Sequence, residues 1–343
     1  MPKIYFSCLF LIAVFALDLH AKERFNDGPY LIYQQNDLLQ FDIKQNHLTI
    51  TPYQGPYSIP EHFSIAKKDT YNNVEKWAAI SDIHGQVSIF ITLLKNNKVI
   101  DAHHNWQFGQ GHLIITGDIF DRGDTVTEAL WLIYKLEQQA EKAGGKVHYL
   151  LGNHEYMVLR GDERYLHPKY VSTLNVMQKD LKSLFSANTV LGQWLRSKAT
   201  IIKLNQLVFL HGGIHQDFID LNLSLEQANQ HFRNSIGLTK KEMLNNPTHI
   251  ALHATTGPIW YRGYFRDAQL QQTDIQSILK ALDAQRIVVG HTSFEQLETR
   301  YNNKVLAIDS SIKNGIKGEL LMWQNQQFIR ADMQGQHSSF FVE

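Results

Sequence analysis

Five short runs of this chain bring together residue types that bind metals and move protons. They are Ser81-Asp82-Ile83-His84-Gly85, Gly117-Asp118-Ile119-Phe120-Asp121-Arg122-Gly123, Gly152-Asn153-His154-Glu155, His211-Gly212-Gly213 and Gly290-His291-Thr292. Hard carboxylate and amide oxygens mixed with imidazole nitrogens, and no sulfur, suit Mn, Fe, Zn or Co better than Ca or Mg. Asp82 and His84, at i and i+2, share one face if the segment is extended and can then hold one ion together. Asp118 has two oxygens with which to bridge two ions. Asn153 adds a neutral oxygen, and His211 and His291 add imidazoles to the same rim. Two divalent ions about 3.5–4 Å apart hold a bridging hydroxide near neutral pH and bind phosphoryl oxygens.

The remaining polar residues of these runs fit phosphate-ester hydrolysis. The guanidinium forks of Arg122 and Arg262 match phosphate geometry, and Asn153 stands with them as a substrate contact. A leaving alkoxide or phenoxide needs a proton. His154 is placed to supply it, with Asp121 orienting the imidazole and raising its pKa. Any one of these short matches would be weak. Their weight comes from occurring in order, each at the end of an apolar run. His103, His104, His167, His249 and His253 lack such a context and read as surface residues, and His215 reads as rim or surface. Trp260 and Tyr261 either wall the pocket beside Arg262 or pack in the core.

The elements that must position these residues follow from the apolar patterning. Trp77-Ala78-Ala79-Ile80, Leu113-Ile114-Ile115 and Val147 to Leu151 predict buried strands, and each runs into one of the first three motifs. Asp82 and Asp118 are 36 positions apart and Asp118 and Asn153 are 35 apart, about one βαβ unit each. Ligands collect past the carboxyl ends of strands in such sheets. His84 to Asn96 and Asp124 to Ala143 predict helices, the second with Thr125-x-x-Glu128 as a capping box and Gly144-Gly145 as its stop. Tyr170 to Ser197 and Leu223 to Asn245 are helical in pattern, and so is Asp274 to Ala284. Strands are predicted at Thr200 to Leu204, Gln206 to Leu210 and Arg286 to Val289. Lys304 to Ile308 and Glu319 to Trp323 read as closing antiparallel strands. Before the first motif, 22–74 predicts a small β-rich extension with strands near 31–33, 38–43 and 47–51, leaving 75–343 as the main domain.

Composition sets the limits. The chain has 343 residues, 43% of them hydrophobic and 19% charged, with zero formal net charge, so it lacks the basic footprint of a nucleic-acid binder. Lys3, the apolar run Ile4 to Leu17 and Leu19-His20-Ala21 predict a secretory signal peptide over 1–21, hence a periplasmic or secreted protein with no membrane association after cleavage. The single cysteine, Cys8, lies in that apolar run. A mature chain would then have no disulfide, thiolate ligand or cysteine nucleophile.

The five runs together resemble the phosphoprotein phosphatase branch of calcineurin-like metallophosphoesterases. Trp260-Tyr261-Arg262-Gly263 and Asp27-Gly28-Pro29-Tyr30 are similar, more specifically, to the Shewanella-like phosphatase type, a group that includes a cold-active enzyme acting on phosphotyrosine. The resemblance implies an α/β (α+β) sandwich of two mixed β-sheets flanked by helices. It implies one metal held by Asp82, His84 and Asp118 and a second by Asp118, Asn153, His211 and His291, with His154 and Asp121 as the proton-donor pair. Arg122 and Arg262 would contact phosphate in a phosphoprotein or phosphopeptide, phosphotyrosine favoured. Ser81 stands where the first motif usually has glycine. The Ser-Ala-Pro-Asn-Tyr segment of eukaryotic serine/threonine phosphatases is absent, so their inhibitor and substrate preferences do not carry over. Diadenosine tetraphosphatases resemble the same motifs, so a dinucleotide or nucleotide hydrolase is an alternative at this level. A non-catalytic metal- or phosphate-binding module is another.

Overall fold

The computed structural model describes residues 24–66 and 68–341. The predicted signal peptide, its cleavage point and Cys8 lie outside the described residues.

Strands β1 (Asp27–Gln34), β2 (Asp37–Lys44) and β3 (His47–Pro52) form an antiparallel three-stranded sheet. The other strands are β4 (Thr70–Tyr71), β5 (Trp77–Ile80), β6 (His112–Ile115), β7 (Lys146–Tyr149), β8 (Ile202–Leu204), β9 (Leu207–Leu210), β10 (Arg286–Val289), β11 (Glu298–Arg300), β12 (Val305–Ala307), β13 (Glu319–Gln324), β14 (Gln327–Asp332) and β15 (His337–Ser339). They make two six-stranded mixed sheets, ordered β15-β14-β13-β5-β6-β7 and β11-β12-β10-β9-β8-β4. Helices α1 (Val87–Asn96), α2 (Val126–Lys142) and α3 (Asn153–Arg160) follow β5, β6 and β7. Three short helices come next, α4 (Pro168–Met177), α5 (Leu181–Leu184) and α6 (Val190–Arg196).

The motif strands are apolar on both faces because both are covered. Trp77, Ala79, Ile114, Leu150, Phe209, Val288 and Leu306 fill the layer between the two sheets. The alternate positions Ala78, Ile80, Leu113, Ile115, Val208, Leu210, Ile287 and Val289 face the helices, as a period of two requires. Trp77 and Phe209 meet edge-on across the sandwich, ring centroids 5.4 Å apart. The β1–β3 sheet has no core of its own. Its Tyr30, Leu31, Ile32, Phe41 and Ile43 join the helix-side core, and the Trp131 indole of α2 donates to the Pro29 carbonyl at 2.8 Å.

Three local expectations change. Val305–Ala307 pairs parallel with β10 and antiparallel only with β11, because the chain returns to that sheet by a crossover. The Thr125 capping box does not form. The Thr125 hydroxyl donates to the Gly85 carbonyl and accepts from Val87 N–H at 3.1 Å, tying α2 to the first motif, while Glu128 pairs with Lys169. The span Leu223 to Asn245 breaks into two helices, Leu225–Asn234 and Lys240–Met243, around left-handed Gly237.

Candidate active site

Strands β5, β6 and β7 of one sheet and β9 and β10 of the other deliver all five runs to one edge of the sandwich. Backbone bonds lock the turns together: Asp82 N–H donates to Gly117 O at 3.1 Å, His84 N–H to Asp118 O at 2.9 Å, and Gly290 N–H to His211 O at 2.9 Å. The turns are not the extended segments expected from the sequence. Asp82, His84, Asp118, Asp121, Arg122 and His291 all have left-handed φ, from 46° to 69°. Non-glycine residues seldom adopt this conformation, and it clusters at functional sites. Here each strand bends sharply so that its side chain turns inward. Two glycines permit the close approach. A Cβ on Gly152 would stand 2.3 Å from Asp118 Oδ1, and one on Gly290 would stand 1.9 Å from Ser81 Oγ.

The six predicted metal ligands converge and are buried. Asp118 Oδ2 lies 3.7 Å from His84 Nε2 and 3.1 Å from His211 Nε2. His84 Nε2 is also 3.8 Å from Asp82 Oδ1. On the other side His211 Nε2 is 2.9 Å from Asn153 Oδ1 and 3.0 Å from His291 Nδ1. The nitrogens not turned toward Asp118 are anchored on backbone carbonyls: His84 Nδ1 on Phe120 O at 2.7 Å, His211 Nδ1 on Thr116 O at 2.8 Å and His291 Nε2 on Trp260 O at 3.1 Å. Such anchors set the ring orientation of metal-binding histidines.

Electrostatics fit bound cations. Asp82, Asp118, Asp121 and Glu155 are buried among four imidazoles. Burial and the Asp118 charge push Asp82 and Glu155 upward. Burial also acts against Asp118 as a charged group, but His211 and His154 outweigh it and hold the carboxylate well below its usual range. Burial pulls His211 down, yet the Asp118 and Asp82 carboxylates dominate and hold it at about 9. A buried donor set this rich in carboxylates is stable only when positive charge compensates it. Asp82, His84, Asp118, Asn153, His211 and His291 are the residues fitted to hold divalent metal.

His154 stands beside this set. Its Nδ1 is 2.5 Å from Asp121 Oδ2, its Nε2 is 3.8 Å from Asp118 Oδ2, and its N–H donates to Asp118 Oδ1 at 3.0 Å. Burial opposes its protonation, but the Asp118 and Asp121 carboxylates more than compensate and raise its pKa. Arg122 is exposed at the rim, with its guanidinium 5.4 Å over the Tyr165 ring. Arg262 is half-buried and bonds the His291 carbonyl, with Nη2 3.2 Å from His291 Nδ1. Tyr261 is a core residue packed against His215 and Tyr264. Trp260 is half-buried, its ring centroid 5.9 Å from that of His291. Of the histidines read as surface, His249 is buried, with its ring 5.7 Å from His231.

Three residues enter the site without having been assigned a role from the sequence. Glu155 accepts from the backbone N–H groups of Asp118, Ile119 and Gly152 at 2.7–2.8 Å and from the Tyr149 hydroxyl at 2.9 Å, clasping the second motif to the third. Asp309, just past β12, is buried and accepts from Ser293 Oγ at 2.5 Å. Burial and the Asp82 charge push it up to about 8. It follows an apolar strand as the five motifs do, and that signal could have found it. Tyr165, in the α3–α4 loop, has its ring 5.3 Å from His154.

Comparison with known proteins identifies the family. The cold-active protein-tyrosine phosphatase of a psychrophilic Shewanella species superposes with a TM-score of 0.87 at 41% identity, covering 92% of this chain and 99% of that one. Shewanella-like protein phosphatase 1 of Plasmodium berghei is 27% identical over 71% of this chain and 69% of its own length. Shewanella-like protein phosphatase 2 of Arabidopsis thaliana is 23% identical over 71% and 73%. The sequence profile of the calcineurin-like phosphoesterases matches residues 76–293, from the start of β5 to just past the last motif. The chain therefore belongs to the calcineurin-like phosphoesterase family and is a metal-dependent phosphatase of the Shewanella-like type.

Proposed function

We propose that the protein is a dinuclear phosphoprotein phosphatase that favours phosphotyrosine and uses His154 as its general acid. One observation carries the dinuclear reading: a single oxygen, Asp118 Oδ2, lies between His84 on one side and the His211, Asn153 and His291 group on the other. A carboxylate so placed would serve two ions. When bound, divalent ions of the Mn, Fe, Zn or Co class supply an activated water at neutral pH and neutralise phosphoryl oxygens. Arg122 and Arg262, on opposite sides of the cluster, orient the phosphate. His154, held at Nδ1 by Asp121, keeps Nε2 for the leaving oxygen. Its raised pKa keeps the proton available for that oxygen, which a general acid must supply.

The phosphotyrosine preference is supported by the Shewanella relative and by the exposed aromatic side chain of Tyr165 beside His154. Export, with cleavage after Ala21, belongs to the same reading and rests on the apolar run Ile4 to Leu17. The N-terminus of exported protein checks it, Lys22 being expected. The main test joins metal content to substrate choice. Protein purified without chelator should carry about two transition-metal ions per chain, and it should hydrolyse phosphotyrosyl peptides faster than matched phosphoseryl peptides or dinucleoside polyphosphates. Metal content near zero with chelator-insensitive turnover would sink the dinuclear reading. Equal turnover of the two peptides would sink the substrate preference alone.

A further inference from the structure

We infer that Tyr165 is the platform against which the aryl ring of a phosphotyrosyl substrate lies, a role that rests on the phosphotyrosine reading above. In an in-line displacement the attacking and leaving oxygens lie on opposite sides of phosphorus. The leaving phenolate oxygen must come within hydrogen-bond reach of the acid that protonates it, which here is His154. The ring bonded to that oxygen therefore occupies the His154 side of the site. Tyr165 is the aromatic residue found there, its centroid 5.3 Å from that of His154. Trp260 lies against His291, among the ligands of the other half of the cluster, and Tyr261 is buried.

Tyr165 has the properties of a substrate contact. It is 45% exposed although it borders a buried cluster. It is also held in place before any ligand arrives. The Arg122 N–H donates to the Tyr165 carbonyl at 3.0 Å, the Arg122 guanidinium lies 5.4 Å over the ring and that of Arg164 5.8 Å. Arg164 is itself fixed by a forked bond to Asp162 at 2.7–3.0 Å. A side chain ordered in advance loses little freedom on binding. The same Arg122 that faces the phosphate thus anchors the surface for the ring one ester bond away. An aromatic pair of this kind contributes a factor of about 2–10 in binding.

The test compares two non-hydrolysable inhibitors of the metal-loaded enzyme, benzylphosphonate and methylphosphonate. Wild type should bind the aryl compound about 3–10-fold more tightly. Tyr165→Leu should bring that ratio close to one with the methylphosphonate constant unchanged, while Tyr165→Phe and Trp260→Ala keep it. Four results would overturn the assignment: no aryl advantage in wild type, a ratio that survives Tyr165→Leu, a ratio lost in Trp260→Ala instead, or both constants rising together in Tyr165→Leu. The last would mean that Tyr165 only props Arg122. Turnover of matched phosphopeptides is measured separately. Equal rates on tyrosine and serine peptides with the aryl ratio intact would defeat the phosphotyrosine reading and leave the platform standing.

Discussion

Strands β6 and β7 adjoin two imidazole clusters, and the two differ in the charge that surrounds them. Past the carboxyl ends stand Asp118, Asn153 and His154, joined by His84, His211 and His291. The second lies on the strands themselves, where His148 Nε2 meets His112 Nδ1 at 2.9 Å, with the Tyr71 ring 4.5 Å from that of His148. In the first cluster the Asp118 and Asp82 carboxylates overcome burial at His211, which is held at about 9, and Asp118 and Asp121 raise His154, while burial lowers His84 to about 3 and takes His291 well below the usual range. In the second, burial meets no carboxylate strong enough to oppose it, and Lys146 adds to its effect. His148 falls well below the usual histidine range and His112 falls to about 4. An imidazole pair that stays neutral is a hydrogen-bonded packing unit. The same residue type is fitted to hold a metal only where buried carboxylates supply negative charge and the backbone anchors the second ring nitrogen.

Substitutions should separate the two clusters in graded fashion. The largest loss is expected for Asp118→Asn, which removes the shared negative charge. Turnover should fall further than in any other single ligand variant, and elemental analysis should show metal content dropping with it. Next comes His154→Asn, with kcat lower by about 10²–10⁴-fold and metal content largely retained. That loss should shrink for nitrophenyl phosphate, whose leaving group needs no proton. Equal losses on nitrophenyl and alkyl phosphates would count against the acid role.

Glu155→Gln keeps the shape but brings an amide donor up against the three backbone N–H groups. It should lower metal affinity about 10–100-fold, read by chelator titration, and cost about 1–3 kcal/mol of stability. In the His112–His148 pair, His148→Phe should leave kcat unchanged and alter stability by about 1 kcal/mol. A clear loss of turnover there would erase the contrast between the two clusters.

The smallest effect is on pH dependence. An imidazole held neutral in the fold, while the unfolded chain protonates near 6.5, contributes stability above that pH and loses it as pH falls toward the folded value. His112 should therefore weaken the protein progressively from about 6.5 down to about 4, and His148, lowered well below its usual range, acts in the same direction as pH falls. Thermal melts of His148→Phe should fall less steeply with pH over that window than those of wild type.

Much of the site was legible along the chain because each motif follows an apolar strand whose alternation is intact. Ile80, Ile115 and Leu210 end buried strands, and the candidate metal ligands begin one to three positions later. The β-rich extension was legible for the same reason, with strands at Asp27–Gln34, Asp37–Lys44 and His47–Pro52. What escaped were contacts without a local signature. Thr125 matches a helix cap but spends its hydroxyl on Gly85 and Val87, 40 and 38 residues away. His249 looks polar in context and is buried through its neighbours on other helices. Tyr165 lies in a loop with no periodicity to mark it.

By itself the sequence determined the donor chemistry: carboxylate, amide and imidazole without thiol, placed at the ends of strands that had to be buried. Only the tertiary structure decided which atoms meet. Two sheets had to stack through Trp77 and Phe209 before His211 could reach Thr116, 95 residues back, and His291 N–H could reach Asp82, 209 residues back. Left-handed turns at six of the site residues then aimed the side chains inward. The physical reason is that donor type belongs to each residue alone. The direction of a side chain belongs to a strained turn that survives only when the surrounding core and its hydrogen bonds hold it.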